Sequence, residues 1–429
     1  MLYWIGMGWV SQLLREEPRA RRFFFAYFQS TLGTGAAYAA ILLVAYERLH
    51  SAWGISLVLL AEIAPPILLG PLFGAAVDRW SRRSAAIAAD SLRAAAFVGI
   101  TFTHSFVLTF LLALIAGAGT ALSKPAIMAS LPSVLSPSRL TEGTALYGAL
   151  TEIGLTAGPA LAAIVLLFGG PDVLLAANAA TFAISAAVLS TIRFGAVGAK
   201  ATPRGSLLGE AREGIGFALR DRVIRTVVGA TSSILFFGGL INVAELLFAR
   251  ELGAGRTGYA LLVTLSGVGI ATGSLMGKAG GPLTYLERRF LAGLGLVALG
   301  CIAASASPIF AGVALAVTLC GIGNGMVIVF QRLILQRSVD GSLLGRVFGV
   351  QVASDGVAFT SSYLLAGGLL TFVGPRTMFI VAAAGGALVV AATARGLRAR
   401  WNDGESAVDT SVAAEVPEEL AVVGGPELG

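Results

Sequence analysis

Four carboxylates stand where carboxylates are expensive. Glu62, Glu152, Glu245 and Asp355 each fall inside a long apolar run of a chain that is 56% hydrophobic and only 13% charged. A charge at the centre of a bilayer costs about 2.5–3.5 kcal/mol on insertion scales, so each acid needs a reason. Glu62 lies well inside its run, and Glu152 and Asp355 lie about ten residues into theirs, close to mid-membrane at about 1.5 Å per residue. Glu245 sits nearer an end. A carboxylate in a low-dielectric cavity can take up and release a proton near neutral pH, and that is the chemistry these residues offer. The plainer reading of each is a structural group bonded to a neighbouring Ser, Thr or Lys. Lys124, in another apolar run, could pair with Glu152 as a latch released by protonation, or could snorkel to the interface.

Other chemistry is sparse. Asp90 and Arg93 are three apart on one helix face and read as a structural pair. Gln29, Thr34, Tyr38, Asn242 and Asn324 supply isolated polar contacts that could line a cavity. His50 and His104 have no Cys or carboxylate at metal-ligand spacing, and no phosphate-cradling Gly-x-x-x-x-Gly-Lys-Ser/Thr is present. No metal, no cofactor and no enzymatic activity are expected. Cys301 and Cys320 read as buried thiols without a disulfide. The formal charge of +6 does not point to nucleic acid, because the cations lie between apolar runs too long for a soluble core.

The elements that must hold these residues are membrane helices, which need about 20 mostly apolar residues. Twelve runs qualify: 23–46, 54–77, 85–103, 106–130, 143–168, 172–192, 226–249, 257–278, 289–306, 308–331, 346–371 and 374–394. They divide the chain into an N-terminal segment 1–22, a six-helix half 23–193, a polar linker 194–225, a second half 226–395 and a tail 396–429. The linker is expected to carry surface helix around Leu207–Leu219. The tail is expected to be disordered, since after Arg400 it holds seven acids and no cation. Of the 30 Lys and Arg, only Arg48, Arg250, Arg256 and Arg376 fall on the side opposite the termini, which predicts cytoplasmic termini in the cell membrane.

The halves repeat. A constant shift of 204 positions takes Gly54 to Gly258, Gly117 to Gly321, Gly119 to Gly323, Leu140 to Leu344 and Pro171 to Pro375. Parallel six-helix repeats are an arrangement of transporters, with the substrate site between them near the midplane. Spans two and three meet at a tight turn bearing Gly74, Asp78, Arg79, Arg82 and Arg83. A carboxylate such as Asp78 gains about 0.3–1 kcal/mol beside the N-terminus of another helix, or it is a loop charge that only sets topology.

That turn resembles the loop 2–3 signature of the major facilitator superfamily, with Ser81 where the family usually has Gly. Gly154-Leu-Thr-Ala-Gly158-Pro159 in span five resembles the Gly-xxx-Gly-Pro motif of proton-coupled antiporters. Asp90 with Arg93, Lys124-Pro125-Ala126 through Leu131-Pro132, and Gln336 with Gly345-Arg346-Val347 are similar to the 12-span branch of drug, macrolide and siderophore exporters. The resemblance covers roughly residues 20–395. It implies an all-α integral membrane protein with twelve transmembrane helices in two six-helix pseudo-repeats. It places Asp78 against Gly345 and Arg346 at the start of span eleven as a cytoplasmic gate, and spans two, five, seven and eleven around a central cavity. Glu152, Asp355, Glu62 and Glu245 are then the proton-coupling candidates, and Gly154 to Pro159 is expected to pack span five closely against the other half.

The function these readings imply is secondary transport by alternating access: export of a small organic molecule, amphiphilic, drug-like or siderophore-like, in exchange for protons. An importer or uniporter, a membrane receptor and a polytopic membrane enzyme are the alternatives, the last disfavoured by the lack of a catalytic cluster. The expected partners are substrate, protons and lipid, and a monomer is expected.

Overall fold

A computed structural model describes residues 8–79, 81–194, 215–279, 282–339 and 341–412, with no strand among them. Twelve long helices match the twelve apolar runs: α1 (Pro18–Leu49), α2 (Ala52–Arg79), α3 (Arg82–Phe102), α4 (Phe106–Val134), α5 (Leu140–Phe168), α6 (Pro171–Thr191), α7 (Arg222–Glu251), α8 (Gly255–Leu275), α9 (Leu283–Ala306), α10 (Phe310–Ser338), α11 (Gly341–Leu369) and α12 (Pro375–Val412). In lipid only helices and closed barrels satisfy every backbone polar group internally, and runs of this length satisfy theirs as helices. Eleven are long and apolar enough to cross a membrane. The other, α11, carries Arg346, Gln351, Asp355, Ser361 and Ser362.

Local chemistry sets the helix ends. Ser81, Ser105 and Asp221 cap α3, α4 and α7 by accepting from the backbone N–H three residues on. Pro18 and Pro171 open α1 and α6, where a missing N–H costs nothing. The turn from α7 to α8 uses Gly253 (φ 71°) and Gly255 (φ 61°), a backbone region that glycine enters without penalty.

The ends of the chain differ from expectation. A separate helix, Gly8–Glu16, precedes α1, and Arg139 in the α4–α5 connection pairs with both Glu16 and Glu142. Hydrogen bonds from Gln12 and Arg139 hold the Glu16 carboxyl below its ordinary range. The tail does not end its order at Arg400: α12 continues to Val412, because no proline follows Pro375 until Pro417 and each added residue gains a helical bond. Within the expected linker helix, residues 215–220 are helical and 207–214 lie outside the described residues.

Helix pairing repeats between the halves. In the first half α1 packs on α5 and α6, α4 packs on α2 and α3, and α3 packs on α6. In the second, α7 packs on α11 and α12, α10 on α8 and α9, and α9 on α12. The glycines found by the 204-residue shift do the same work in both. A Cβ at Gly119 would lie 3.1 Å from the Ala89 carbonyl oxygen, and one at Gly323 would lie 2.6 Å from that of Gly293, 204 residues beyond Ala89. The halves meet through two equivalent pairs, α2 on α11 and α5 on α8.

One hydrophobic core fuses the two halves at the end of the bundle far from the termini. It runs from Ala36–Ala45 of α1 and Ile55–Ala61 of α2 to Leu240–Ala249 of α7 and Tyr259 of α8. At the terminal end the described residues form two separate cores, one within each half.

Candidate functional site

Each half contributes one acid to the interior of the bundle. Glu62 projects from α2 and Glu245 from α7; Tyr38 of α1 and Tyr259 of α8 lie within electrostatic range of both, and Tyr363 of α11 within range of Glu62. Tyr259 and Tyr363 are buried. Asn242, one helical turn before Glu245, donates to the Tyr363 hydroxyl at 3.5 Å, at the limit of a hydrogen bond. Glu245 is 7% exposed, and its Oε1 has no hydrogen-bond partner among the described residues. Glu62 keeps partial exposure deep inside the bundle, so it faces internal space. A buried acid without a protein partner is costly as an anion. The arrangement therefore suits groups that trade a proton or another cation with that space.

The remaining candidates separate into satisfied and unsatisfied groups. Asp355 accepts from Ser232 Oγ at 2.9 Å and from Gln351 Nε2 at 2.5 Å, which ties α11 to α7 within the second half. Glu152 is exposed on α5, as is Lys124 on α4, and no ion pair joins them. Asp90 and Arg93 form a buried ion pair. Arg93 also donates to Ser123 Oγ at 3.0 Å and lies 4.2 Å from the centre of the Phe182 ring. Gln29 donates to the Thr181 and Ala26 carbonyls, and the Thr34 hydroxyl donates to the Ser30 carbonyl. Asn324 lines a small cavity inside the second half.

Span five required a correction. Its glycines pack α5 against α1 of the same half, not against the other half: a Cβ at Gly158 would lie 2.5 Å from the Gly35 carbonyl carbon, and one at Gly154 would lie 2.6 Å from Thr31 Cγ2. Pro159 is buried beside them. The reason is directional, since Gly154 and Gly158 share one face four residues apart, and that face is the one buried against α1. The contact from α5 to the other half runs through Thr156 instead, opposite Gly267 of α8.

On the turn between α2 and α3, Arg83 donates to the Leu189 and Ser190 carbonyls at the end of α6, and Arg82 is half-buried. Gly74, Asp78 and Arg79 fall in the last turns of α2 but lie outside the residues whose side chains are described, and Arg346 is half-buried on α11.

Sequence reasoning missed the far-end charges. Glu47 of α1 pairs with Arg256 of α8 at 2.8 Å and with Arg250 of α7 at 3.5 Å, and Arg250 lies 4.5 Å from the centre of the Tyr46 ring. These contacts join the two halves. Tyr259 and Tyr363 were missed as well, because a tyrosine in an apolar run looks like any core aromatic. The repeat held a usable signal: the 204-residue shift takes Tyr38 to Asn242 and Glu62 to Ser266, pairing positions that face the same seam.

An all-helical bundle in two equivalent halves, with eleven helices long and apolar enough to cross a membrane, is the architecture of a multi-pass membrane protein. Residues 23–289 match the Major Facilitator Superfamily, and the chain belongs to that family. Among curated proteins it is similar to the multidrug efflux pump Tap of Mycobacterium bovis (strain BCG), with 25% identity over 397 residues, 86% of this chain and 92% of that one. It is also similar to the MFS-type transporter y4rN of Sinorhizobium fredii, with 26% identity over 322 residues, 72% of this chain and 78% of that one. Among solved structures the nucleoside transporter NupG shares the fold, with a TM-score of 0.71 at 12% identity over 88% of this chain and 99% of that one. A bacterial homologue of the human lysosomal transporter Spinster, inward-facing and unoccupied, does so with a TM-score of 0.65 at 13% identity, covering 89% and 92%.

Proposed function

We propose that the protein exports a small organic molecule across the cell membrane in exchange for protons, with both termini in the cytoplasm. The observation that supports this reading is that Glu62 and Glu245, one acid from each half, both lie within electrostatic range of Tyr38 and Tyr259. Rocking of the halves changes what water such acids meet, so protonation biases the equilibrium between the two conformers. The far-end core and the Glu47 ion pairs close one side, while the cores at the terminal end stay separate. This is the conformer facing the cytoplasm. In the opposite conformer Asp78, with Gly74, Arg79, Arg82 and Arg83, closes against Gly345 and Arg346. Asp355 and Glu152 are the secondary proton carriers, the first held by two hydrogen bonds and the second exposed on α5. Export as the direction draws on the similarity to Tap, which is named as an efflux pump. A mostly apolar seam suits an amphiphilic or cationic molecule better than a sugar or phosphate.

The test is growth of an efflux-deficient host on a compound panel, with and without a proton uncoupler, followed by the best compound in proteoliposomes with an imposed pH gradient. Resistance should vanish with the uncoupler. Glu62→Gln and Glu245→Gln should each abolish gradient-driven exchange. Unchanged proton flux in both variants would return the acids to a structural role, and uptake in the same direction after collapse of the gradient would make the protein a uniporter.

A further inference from the structure

The second half contains a cavity of its own, of about 120 Å³, lined by residues of α7 to α12. Its polar lining is Glu245, Asn242, Ser266, Asn324 and Cys320, and the rest is aliphatic or aromatic. Glu245 is more than nine-tenths buried, with Oε1 unpartnered. Asn242 turns its amide nitrogen to Tyr363, which leaves its amide oxygen free to accept a cation. Neither Ser266 nor Asn324 makes a side-chain hydrogen bond among the described residues. Three helices thus bring one carboxylate, two amide groups and one hydroxyl to the lining of one small cavity.

Three occupants can be compared by what each leaves unsatisfied. A proton on Glu245 neutralises the acid, and Asn324 and Ser266 then need water as a second occupant. Water serves the amides and the hydroxyl but leaves a buried negative charge. A divalent cation balances every dipole but leaves one uncompensated positive charge in a low-dielectric interior, which is as costly as the bare acid. A monovalent cation bound by oxygens settles the charge and serves the oxygens as a single occupant, and carboxylate and carbonyl oxygens are the ligands that hard cations take.

We propose that this cavity is a sodium site, with Glu245 as the charged ligand and the oxygens of Asn242, Ser266 and Asn324 completing it. The site deepens the exchange reading, since sodium and a proton would compete for one carboxylate. Sodium binding can nevertheless be measured with no gradient and no substrate, so it stands or falls apart from transport.

The experiment is thermal unfolding of the full-length protein in detergent, titrated with sodium chloride against choline chloride at equal ionic strength, with potassium chloride as a size control. Sodium should raise the unfolding temperature by about 2–4 °C at saturation, choline should not, and potassium should do so only at much higher concentration. Glu245→Gln should remove the sodium shift while the protein stays folded. Asn324→Ala and Ser266→Ala, which keep the charge, should each move the titration midpoint by about tenfold or more, and they carry the test if Glu245→Gln fails to fold. Equal shifts with choline, a potassium response equal to that of sodium, or unchanged midpoints in both neutral variants would overturn the assignment. A sodium-insensitive protein that still exchanges protons through Glu245 would leave the exchange reading intact and remove the cation site.

Discussion

The two halves share one pairing scheme but put different chemistry at equivalent positions. In the first half, Asp90 and Arg93 answer each other on α3, and Ser123 and Phe182 complete the shell around the guanidinium. The 204-residue shift lands on Leu294 and Val297, so the second half fills the same place with hydrocarbon. That half instead keeps Glu245 unpartnered in a cavity, where the shift from the first half finds Ile41. A backbone repeat therefore does not repeat its chemistry. Asp90 of the first half is answered by Arg93, whereas Glu245 of the second keeps Oε1 without a hydrogen-bond partner among the described residues.

The sharpest way to test that contrast is to give the first half the second half's residues. Asp90→Leu or Arg93→Val alone should cost about 3–5 kcal/mol, because each strands a buried charge, whereas the double variant should recover most of that loss. Denaturant unfolding in detergent measures it, and a double variant as unstable as the singles would mean the pair does more than hold α3. A somewhat smaller effect is expected at the α1–α5 crossing. Gly35 and Gly158 shift to Gly239 and Ser362, so Gly158→Ser copies the second half's crossing onto the first. With a Cβ only 2.5 Å from the Gly35 backbone, the cost should be about 1–3 kcal/mol of overpacking, read from the same unfolding curves. No loss would show that the first crossing is as roomy as the second.

At the far end the first half contributes the acid and the second the cations. Glu47→Gln should loosen the closed far end by less than about 1 kcal/mol, up to a fivefold change in conformer ratio, because the pairs are partly solvated. Labelling of a cysteine introduced on the far-end surface would report it, and the change should shrink at high salt. Smallest of all is the Glu16–Arg139 contact, where Glu16 is exposed and Arg139 half-buried. Since the Glu16 carboxyl is held below its ordinary range in the folded protein, any stability it adds is present at neutral pH and lost as the pH falls through that lowered value. Glu16→Gln should leave the unfolding midpoint at pH 7 within error and flatten only the acid limb of the pH profile.

The twelve helices were legible because hydrophobic length is a one-dimensional property, and a bilayer demands it of every span. The repeat was legible for a related reason: close helix crossings require small residues at fixed positions, so Gly117 and Gly119 leave a trace at Gly321 and Gly323. The acids stood out by their cost. Their company did not. Nothing in the chain's order says that Glu245 finds no partner while Asp355 finds two, or that the glycines of α5 face α1 and not the opposite half.

Sequence by itself determined that there are twelve membrane-length runs and which residues in them are too costly to be accidental, since those are sums over neighbouring positions. The tertiary structure alone decided which acids are answered and which stay open. Those facts depend on the rotation of each helix about its axis and on contacts between residues more than a hundred positions apart. Glu47 shows the difference most plainly, an ordinary surface acid in the sequence that becomes, through Arg250 and Arg256, the charge that ties one half to the other.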